Sequence, residues 1–245
     1  MRRLMVALGG ALVLAAPVAQ ADVVGLGASV NYWNSDLTGN VRDGGDFVDV
    51  DNELNLDEDS SANAALYVEH PIPILPNVRL AYTQVEQSGQ GVLTADFGGV
   101  NFSGINARSD LDLDQFDVTL YYEILDNWVN LDLGVTARDL SAELVVQDTV
   151  GAGLKNTTTI DGVIPMGYLA ARFDLPFTGV SVGGEGNFIK FDGDSLRDFN
   201  VYGQYEISLL QLRAGYRQMA VDYEDGDDQL DVEMDGPFVS AGLSF

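Results

Sequence analysis

The chain of 245 residues contains no cysteine, a single histidine and only 12 basic residues. Without cysteine there is no disulfide, no thiolate metal site and no lipidated N-terminal cysteine. The basic residues stand against 38 acidic ones, a formal net charge of −26, and a surface of that sign repels nucleic acid and other polyanions. Beyond the first 21 residues no stretch approaches the ~18 consecutive apolar residues that a transmembrane helix needs. Chains of high charge and low hydrophobicity stay unfolded. Here 46% of residues are hydrophobic and they are strongly patterned, which implies a folded domain with disorder confined to loops.

Residues 1–21 read as a secretory signal peptide. Arg2 and Arg3 supply the positive start, Leu4 to Val18 is uncharged and apolar, and Ala19-Gln20-Ala21 is a small-x-small cleavage site that places the mature start at Asp22. An N-terminal membrane anchor is the competing reading. It is opposed by the shortness of the run and the lack of positive charge after it. Removing the two arginines from the 12 basic residues leaves 10 against 38 acidic ones, a net of −28. Residues 22–245 are then long enough for one domain.

The dominant pattern in 22–245 is alternation with period two. Phe116, Val118, Leu120, Tyr122 and Ile124 share one face, with Asp117, Thr119, Tyr121 and Glu123 on the other. After Leu125-Asp126-Asn127-Trp128 the alternation resumes with Val129, Leu131, Leu133, Val135 and Ala137, which makes a hairpin. Similar units recur at 61–70, 170–174 and 201–217, each with an acid near the short turn: Glu69, Asp174 and Glu206. Ten strands are expected, near 23–34, 61–70, 78–88, 113–124, 129–139, 160–174, 179–190, 197–207, 211–222 and 234–245. An extra hairpin at 91–102 leaves 8 and 12 as alternative counts. Short connections near 71–77, 125–128, 175–178 and 208–210 alternate with mostly longer, more acidic ones near 35–60, 89–112, 140–159, 191–196 and 223–233. Tight turns at one end and long loops at the other are the topology of a single antiparallel transmembrane β-barrel with both termini in the periplasm.

Alternation also occurs in soluble barrels and sandwiches, so the face assignment matters. One face carries Leu, Val, Ala and aromatics. The other carries Glu69, Arg79, Asp117, Glu123, Asp132, Arg138, Arg172, Glu185, Glu206, Arg213 and Arg217. In a bilayer that charged face must line the lumen, because a charge facing lipid near the midplane costs about 2–4 kcal/mol. Inward glycines (Gly25, Gly27, Gly134, Gly183, Gly215) leave room there or permit sharp curvature. Aromatics collect at both strand ends: Trp128, Phe173, Phe177, Tyr205 and Phe245 by the short turns, and Tyr32, Trp33, Phe116, Phe188 and Phe199 by the long loops. The last residues present Val239, Ala241, Leu243 and Phe245 on the apolar face. This ending resembles the C-terminal signal of bacterial outer-membrane barrels, which the barrel-assembly machinery reads. Together with the hairpin pattern and the leader, the chain resembles the small Gram-negative outer-membrane β-barrel proteins. The resemblance implies insertion in the cell outer membrane among lipid and lipopolysaccharide, as a monomer, with the barrel-assembly machinery as a partner during insertion.

Enzymes among such barrels (omptin-like proteases, phospholipases, lipid A acylases and deacylases) mostly use a histidine near the outer leaflet or above it. The one histidine, His70, precedes Pro71 at a short turn on the periplasmic side, with no nucleophile elbow near it, so no enzyme and no cofactor are expected. Lumen charges of both signs should pair in so narrow a space, giving a salt-bridged lumen. A narrow porin-like channel for small solutes or cations is the alternative. Two acidic stretches remain. Residues 43–59 hold Asp43, Asp46, Asp49, Asp51, Glu53, Asp57, Glu58 and Asp59, and residues 222–235 hold Asp222, Glu224, Asp225, Asp227, Asp228, Asp231, Glu233 and Asp235. They read as solvated anionic loops. Loosely held Ca²⁺ or Mg²⁺ at Asp222, Glu224, Asp225, Asp227 and Asp228 is the competing possibility, although the spacing departs from an EF-hand loop. Cations there would bridge the loops to lipopolysaccharide phosphates. The overall expectation is a non-enzymatic structural or surface-interaction barrel.

Overall fold

The computed structural model describes residues 24–56, 59–72 and 74–245; the signal-peptide segment and Asp22 lie outside the described residues. In chain order the strands are β1 (Gly25–Arg42), β2 (Val48–Asp49), β3 (Asp59–Glu69), β4 (Asn77–Leu93), β5 (Asp96–Phe97), β6 (Val100–Asn101), β7 (Ile105–Asp126), β8 (Val129–Asp148), β9 (Lys155–Leu175), β10 (Val180–Phe191), β11 (Asp194–Ile207), β12 (Leu210–Asp225) and β13 (Asp228–Ser244). Ten of them form one antiparallel sheet of sequential neighbours. β13 returns to β1, from Gly27↔Ser244 to Arg42↔Gln229, and closes the sheet into a barrel. β2 adds to β1, and β5 pairs with β6 as a separate hairpin. The barrel count is therefore ten, and the expected extra hairpin at 91–102 exists outside the barrel wall as β5–β6.

The alternation sets the two faces of the lower barrel. Val30, Leu66, Leu80, Phe116, Leu120, Leu133, Val135, Leu169, Val182, Val201, Leu212, Val239 and Leu243 are exposed on the outside. This continuous apolar belt is a lipid-facing surface, because no water-soluble wall leaves so much contiguous apolar area uncovered. Its lower rim carries Trp128 edge-on against Phe173, with Tyr205 and Phe245 also exposed. Its upper rim carries Tyr32, Tyr82, Phe116, Phe188, Phe199 and Tyr216. Tyr82 donates its hydroxyl to Asp114, and Tyr216 to Asp235. Apolar rings thus end at the first carboxylates above the belt.

Several strands continue far beyond the belt. A membrane-spanning strand needs about 9–11 residues, whereas β7, β8 and β9 have 22, 20 and 21. The expected strand limits near 113, 139 and 160 mark the top of the belt, not the ends of the strands. Above it the faces exchange polarity without any change of register. In β7, Ala107 and Leu113 point inward and are buried while Asp112 and Asp114 are exposed outward. The upper interior is an apolar core of Leu37, Val41, Val85, Leu93, Val146, Met219 and Met234.

Residues 43–56 complete that core from above. Val48, Val50, Leu54 and Leu56 are each almost wholly buried, as are Phe97 and Phe102 of the β5–β6 segment. The expectation of a solvated acidic loop is thereby corrected for the described part of 43–59; Asp57 and Glu58 lie outside the described residues. Its carboxylates serve the turn instead. Asp49 Oδ1 accepts from the Asp51 and Asn52 amides at 3.0 and 2.9 Å, and Glu53 Oε2 accepts from Asp49 N–H at 2.9 Å. Gly89 on β4 permits the close approach, since a Cβ there would meet the Asn55 backbone.

Two further connections depart from expectation. Residues 191–196 and 223–233 are not longer loops but parts of strands joined by two-residue turns, Asp192-Gly193 and Gly226-Asp227. Asp-Gly with positive φ at both residues, 52° and 109°, is the turn that matches strand twist. The carboxylates of 222–235 therefore ride on a hairpin above the belt.

Candidate functional site

The lumen holds the polar constellation. A bar of charge crosses it at mid-height. Arg138 on β8 donates from Nε and Nη2 to the two Asp117 oxygens on β7, both at 2.8 Å. The same Nη2 reaches Asp198 Oδ2 on β11 at 2.8 Å. Arg217 on β12 grips Asp198 from the far side at 2.9 and 2.8 Å, and its guanidinium lies 4.6 Å from the centre of the Trp33 ring. Arg138 is fully buried. Bidentate pairing of Arg138 with Asp117 and of Arg217 with Asp198, joined by Arg138 Nη2 to Asp198, offsets a burial that would be expensive for a lone charge, and leaves Arg138 Nη1 without a protein partner.

Below the bar sits a second pair. Arg79 Nη1 and Nη2 each lie 2.7 Å from an oxygen of Glu185, with Tyr168 and Asn200 adding hydrogen bonds at 3.4 and 3.3 Å. Arg213 donates to Gln204 at 2.6 Å and stacks 4.5 Å over Tyr202. Neutral groups fill the remaining wall: Thr119 and Thr136 share a hydrogen bond at 2.8 Å, and Thr136 donates to Asn187 at 2.6 Å. Toward the short turns, Glu69 accepts from Tyr121 at 2.8 Å, Glu123 from Asn77 at 3.0 Å, and Arg172 bridges Asp174 at 3.0 Å. Glu206 is exposed at this mouth.

Of the eleven lumen charges expected, the structure joins Arg138 with Asp117 and Arg79 with Glu185. Arg217 is joined through Asp198, a residue absent from that set. Asp198 lies inside the expected strand 197–207 on the same face as Asn200 and Tyr202, so parity alone could have found it. Asp174, the partner of Arg172, was visible only as a repeat-unit acid. Glu69, Glu123 and Arg213 take neutral partners, and Asp132 lies half-buried on the lumen wall of β8. Trp33 is corrected: it points inward, 1% exposed, and donates to Gly236 O at 3.2 Å. Adjacent Tyr32 and Trp33 cannot share one face of a strand. The inward glycines make room for tyrosines, since a Cβ on Gly27 would strike the Tyr67 ring and one on Gly183 would meet Tyr202.

Beside the bar lies a cavity of about 70 Å³ bordered by Asn31, Asn63, Gln115, Asn187, Asn200 and the charged pairs. That is room for a few waters. Gln115 Oε1 has no protein partner. Above the cavity the apolar core begins at Trp33, Phe238 and Leu113. The structure thus places a salt-bridged layer below and a packed apolar layer above.

His70 sits at the β3–β4 turn, its Nε2 3.2 Å from Pro76 O and its Nδ1 accepting from Ile72 N–H at 3.3 Å. Val239, Ala241, Leu243 and Phe245 all face outward on the belt. Asp222, Glu224, Asp225, Asp227 and Asp228 are exposed along the β12–β13 hairpin, and among the described residues no three potential ligands converge on a cation position.

Among solved structures, the chain superposes on the outer-membrane protease OmpT of Escherichia coli with a TM-score of 0.51, over 91% of this chain and 96% of that one, at 12% identity. The fold is that of an outer-membrane β-barrel. A weaker likeness, TM-score 0.41 at 9% identity over 96% of this chain and 93% of the other, is to the transport unit of the autotransporter AIDA-I from Escherichia coli. No protein-family model matches the chain, and no curated protein matches it in sequence. At such identities the likeness concerns the barrel alone.

Proposed function

We propose that this barrel is a non-enzymatic protein of the outer membrane, exported through its N-terminal leader, whose lumen is closed and whose work is done at its outer end in a structural or surface-interaction role. The observation that carries this is the stacking of two different closures. The Asp117–Arg138–Asp198–Arg217 bar crosses the lumen, and the apolar core capped by Val48, Leu54 and Phe97 fills the space above it. Conduction needs a continuous wetted path, and the buried charged bar with the apolar core above it stands across such a path. The engagement of both His70 ring nitrogens by backbone at the inner turn supports a non-catalytic histidine.

The outer wall supports an electrostatic partner. Asp112, Asp114, Asp139, Glu143 and Asp161 are exposed just above the belt, at the level of lipopolysaccharide headgroups. Carboxylates and phosphates repel, so contact with that leaflet runs through loosely held Mg²⁺ or Ca²⁺. The barrel-assembly machinery remains the proposed reader of Val239, Ala241, Leu243 and Phe245, and barrel closure by β13 and β1 suits a monomer.

The test is electrical. Purified chain in planar bilayers gives no reproducible unitary current, whereas a variant combining Arg138→Ala with deletion of residues 46–56 conducts. Discrete, salt-dependent steps from the unaltered chain would overturn the closed-lumen reading in favour of a narrow channel.

A further inference from the structure

The barrel wall has a notch. β10 pairs with β9 only from Val180↔Leu175 to Phe188↔Gly167, because the β10–β11 hairpin turns over at Asp192-Gly193. β9 runs on alone past this hairpin through Lys155–Met166, bonded to β8 on its other side. Across the notch stands β12, whose pairing with β11 ends at Ser195↔Asp222. Among the described residues no backbone pairing bridges β9 and β12. Two strands are missing from the wall there, each about 4.8 Å wide.

The polarity of the open edge follows from register. Asp174 N–H bonds Trp128 O at one end of the β8–β9 ladder, and Asp148 N–H bonds Leu154 O at the other. Even-numbered residues of β9 therefore turn their N–H and C=O toward β8, and odd-numbered residues turn theirs away. From Leu175 to Gly167 the odd set meets β10. At Pro165 the donor is missing, as suits the start of an edge. Above it Thr159, Asp161 and Val163 present N–H and C=O to the notch, and Thr157 presents its C=O while its N–H goes to Asn156 Oδ1 at 2.8 Å.

Contacts on both faces shape this edge. Thr158 on its inner face donates to Asp43 Oδ2 at 2.6 Å. Ile164, Ile189 and Val221 lie half-buried against the apolar core beside the gap. Outside, Asp161, Asp192, Asp222 and Glu224 are exposed around it, against Lys190 at its floor and Lys155 at its top. A strand laid in the notch would set alternate side chains on the isoleucines and valine inside and beside the carboxylates outside.

We propose that the free edge of β9 binds an extended peptide of alternating basic and apolar residues by β-augmentation. The charge selects the occupant. A second copy of this chain would bring another −26 to the same place, whereas a cationic strand is attracted. The proposal deepens the surface-interaction reading and rests on it for the outer end being the working end. Conductance tests the lumen and peptide binding tests the edge, so either can fail alone.

The experiment uses the full chain in zwitterionic nanodiscs at low salt, with a fluorescent peptide of four Lys-Val repeats as probe and anisotropy as readout. Saturable binding is expected. It should weaken about tenfold or more when every peptide bond is N-methylated, when glutamate replaces lysine in the peptide, or in Val163→Pro, which removes an edge donor without touching the β8 ladder. Asp161→Lys keeps the backbone edge and should shift preference from the Lys-Val to the Glu-Val peptide. It carries the test if the proline variant fails to fold. Equal binding by the N-methylated peptide, or no change in preference with Asp161→Lys, would overturn the proposal. So would spontaneous dimers cross-linked through Val163→Cys, which would assign the edge to a second copy.

Discussion

The lower and upper halves of this barrel are built from the same strands with opposite polarity. On β7 below the belt rim, Phe116, Val118 and Leu120 face out and Asp117, Thr119 and Tyr121 face in. Above it, Asp110, Asp112 and Asp114 face out and Ala107, Leu111 and Leu113 face in. β8 repeats the exchange, with Leu133, Val135 and Ala137 outward below and Asp139, Ser141 and Glu143 outward above. Across the belt rim the backbone parity does not change; the surroundings do. Where lipid lies outside, the interior is held by charge-assisted hydrogen bonds, and where water lies outside, it is held by apolar packing. The membrane-embedded barrel carries above it a water-facing wall packed around an apolar core, and the two interiors should fail in different ways.

The largest effect is expected in the lower interior. Asp198→Ala leaves Arg138 and Arg217 buried with Asp117 as their one carboxylate, and stability should fall by about 3–5 kcal/mol, read from the unfolding midpoint in detergent and urea. Replacing Arg138 and Asp117 together by Met and Leu should cost much less, since no charge is left unpaired. In the upper interior, Leu54→Ala empties a site that is 1% exposed and should cost about 3 kcal/mol. Its signature is local: protease cleavage within 43–56 while the lower barrel keeps its heat-modifiable gel shift. On the outer wall, Val135→Arg should cost about 2 kcal/mol or more because it faces lipid. Glu143→Arg, eight residues along the same face, should stay within about 0.5 kcal/mol. Equal effects at the two positions would erase the distinction between the halves.

The smallest effect concerns pH. Backbone N–H groups, above all that of Ala152, hold the Asp148 carboxyl below its usual 3.8 at the outer end of β8. Oδ1 accepts from Ala152 at 2.7 Å and Oδ2 from Leu154 at 2.8 Å. A lowered carboxyl contributes order that is fully present above its ordinary value and is lost as pH falls through the lowered one. Amide exchange at Ala152 and Leu154 should therefore show less protection below about pH 3 than at about pH 5, and Asp148→Asn should reproduce the loosening at neutral pH.

The lower half was legible because its signal is one apolar face seen against charges. Phe116 to Ile124 and Val129 to Ala137 announce two lipid-facing strands and the turn between them. The upper half was not, although Asp110-Leu111-Asp112-Leu113-Asp114 has the same period. Its apolar set is the odd one and its polar set is acidic, so the stretch imitates a charged loop. The same inversion disguised the hairpin at 222–235 and the apolar lid at 48–56, where acids that cap a turn stand between buried residues. Within the lumen, parity identifies which charges point inward, but pairing depends on depth. Depth depends on the stagger of strands around the barrel, which alternation does not encode. Arg138 finds Asp198 three strands away across the lumen, a relation with no trace in sequence spacing.

Polarity inverts along continuous strands, and a chain without native cysteine allows the inversion to be measured directly. Single cysteines at positions 110, 112, 118 and 120 of β7, each carrying a spin label in nanodiscs, report collision with oxygen dissolved in lipid or with an aqueous nickel complex. Labels at 118 and 120 should be reached by oxygen, and those at 110 and 112, on the same outward face, by nickel. The same environment at all four positions would contradict the inversion.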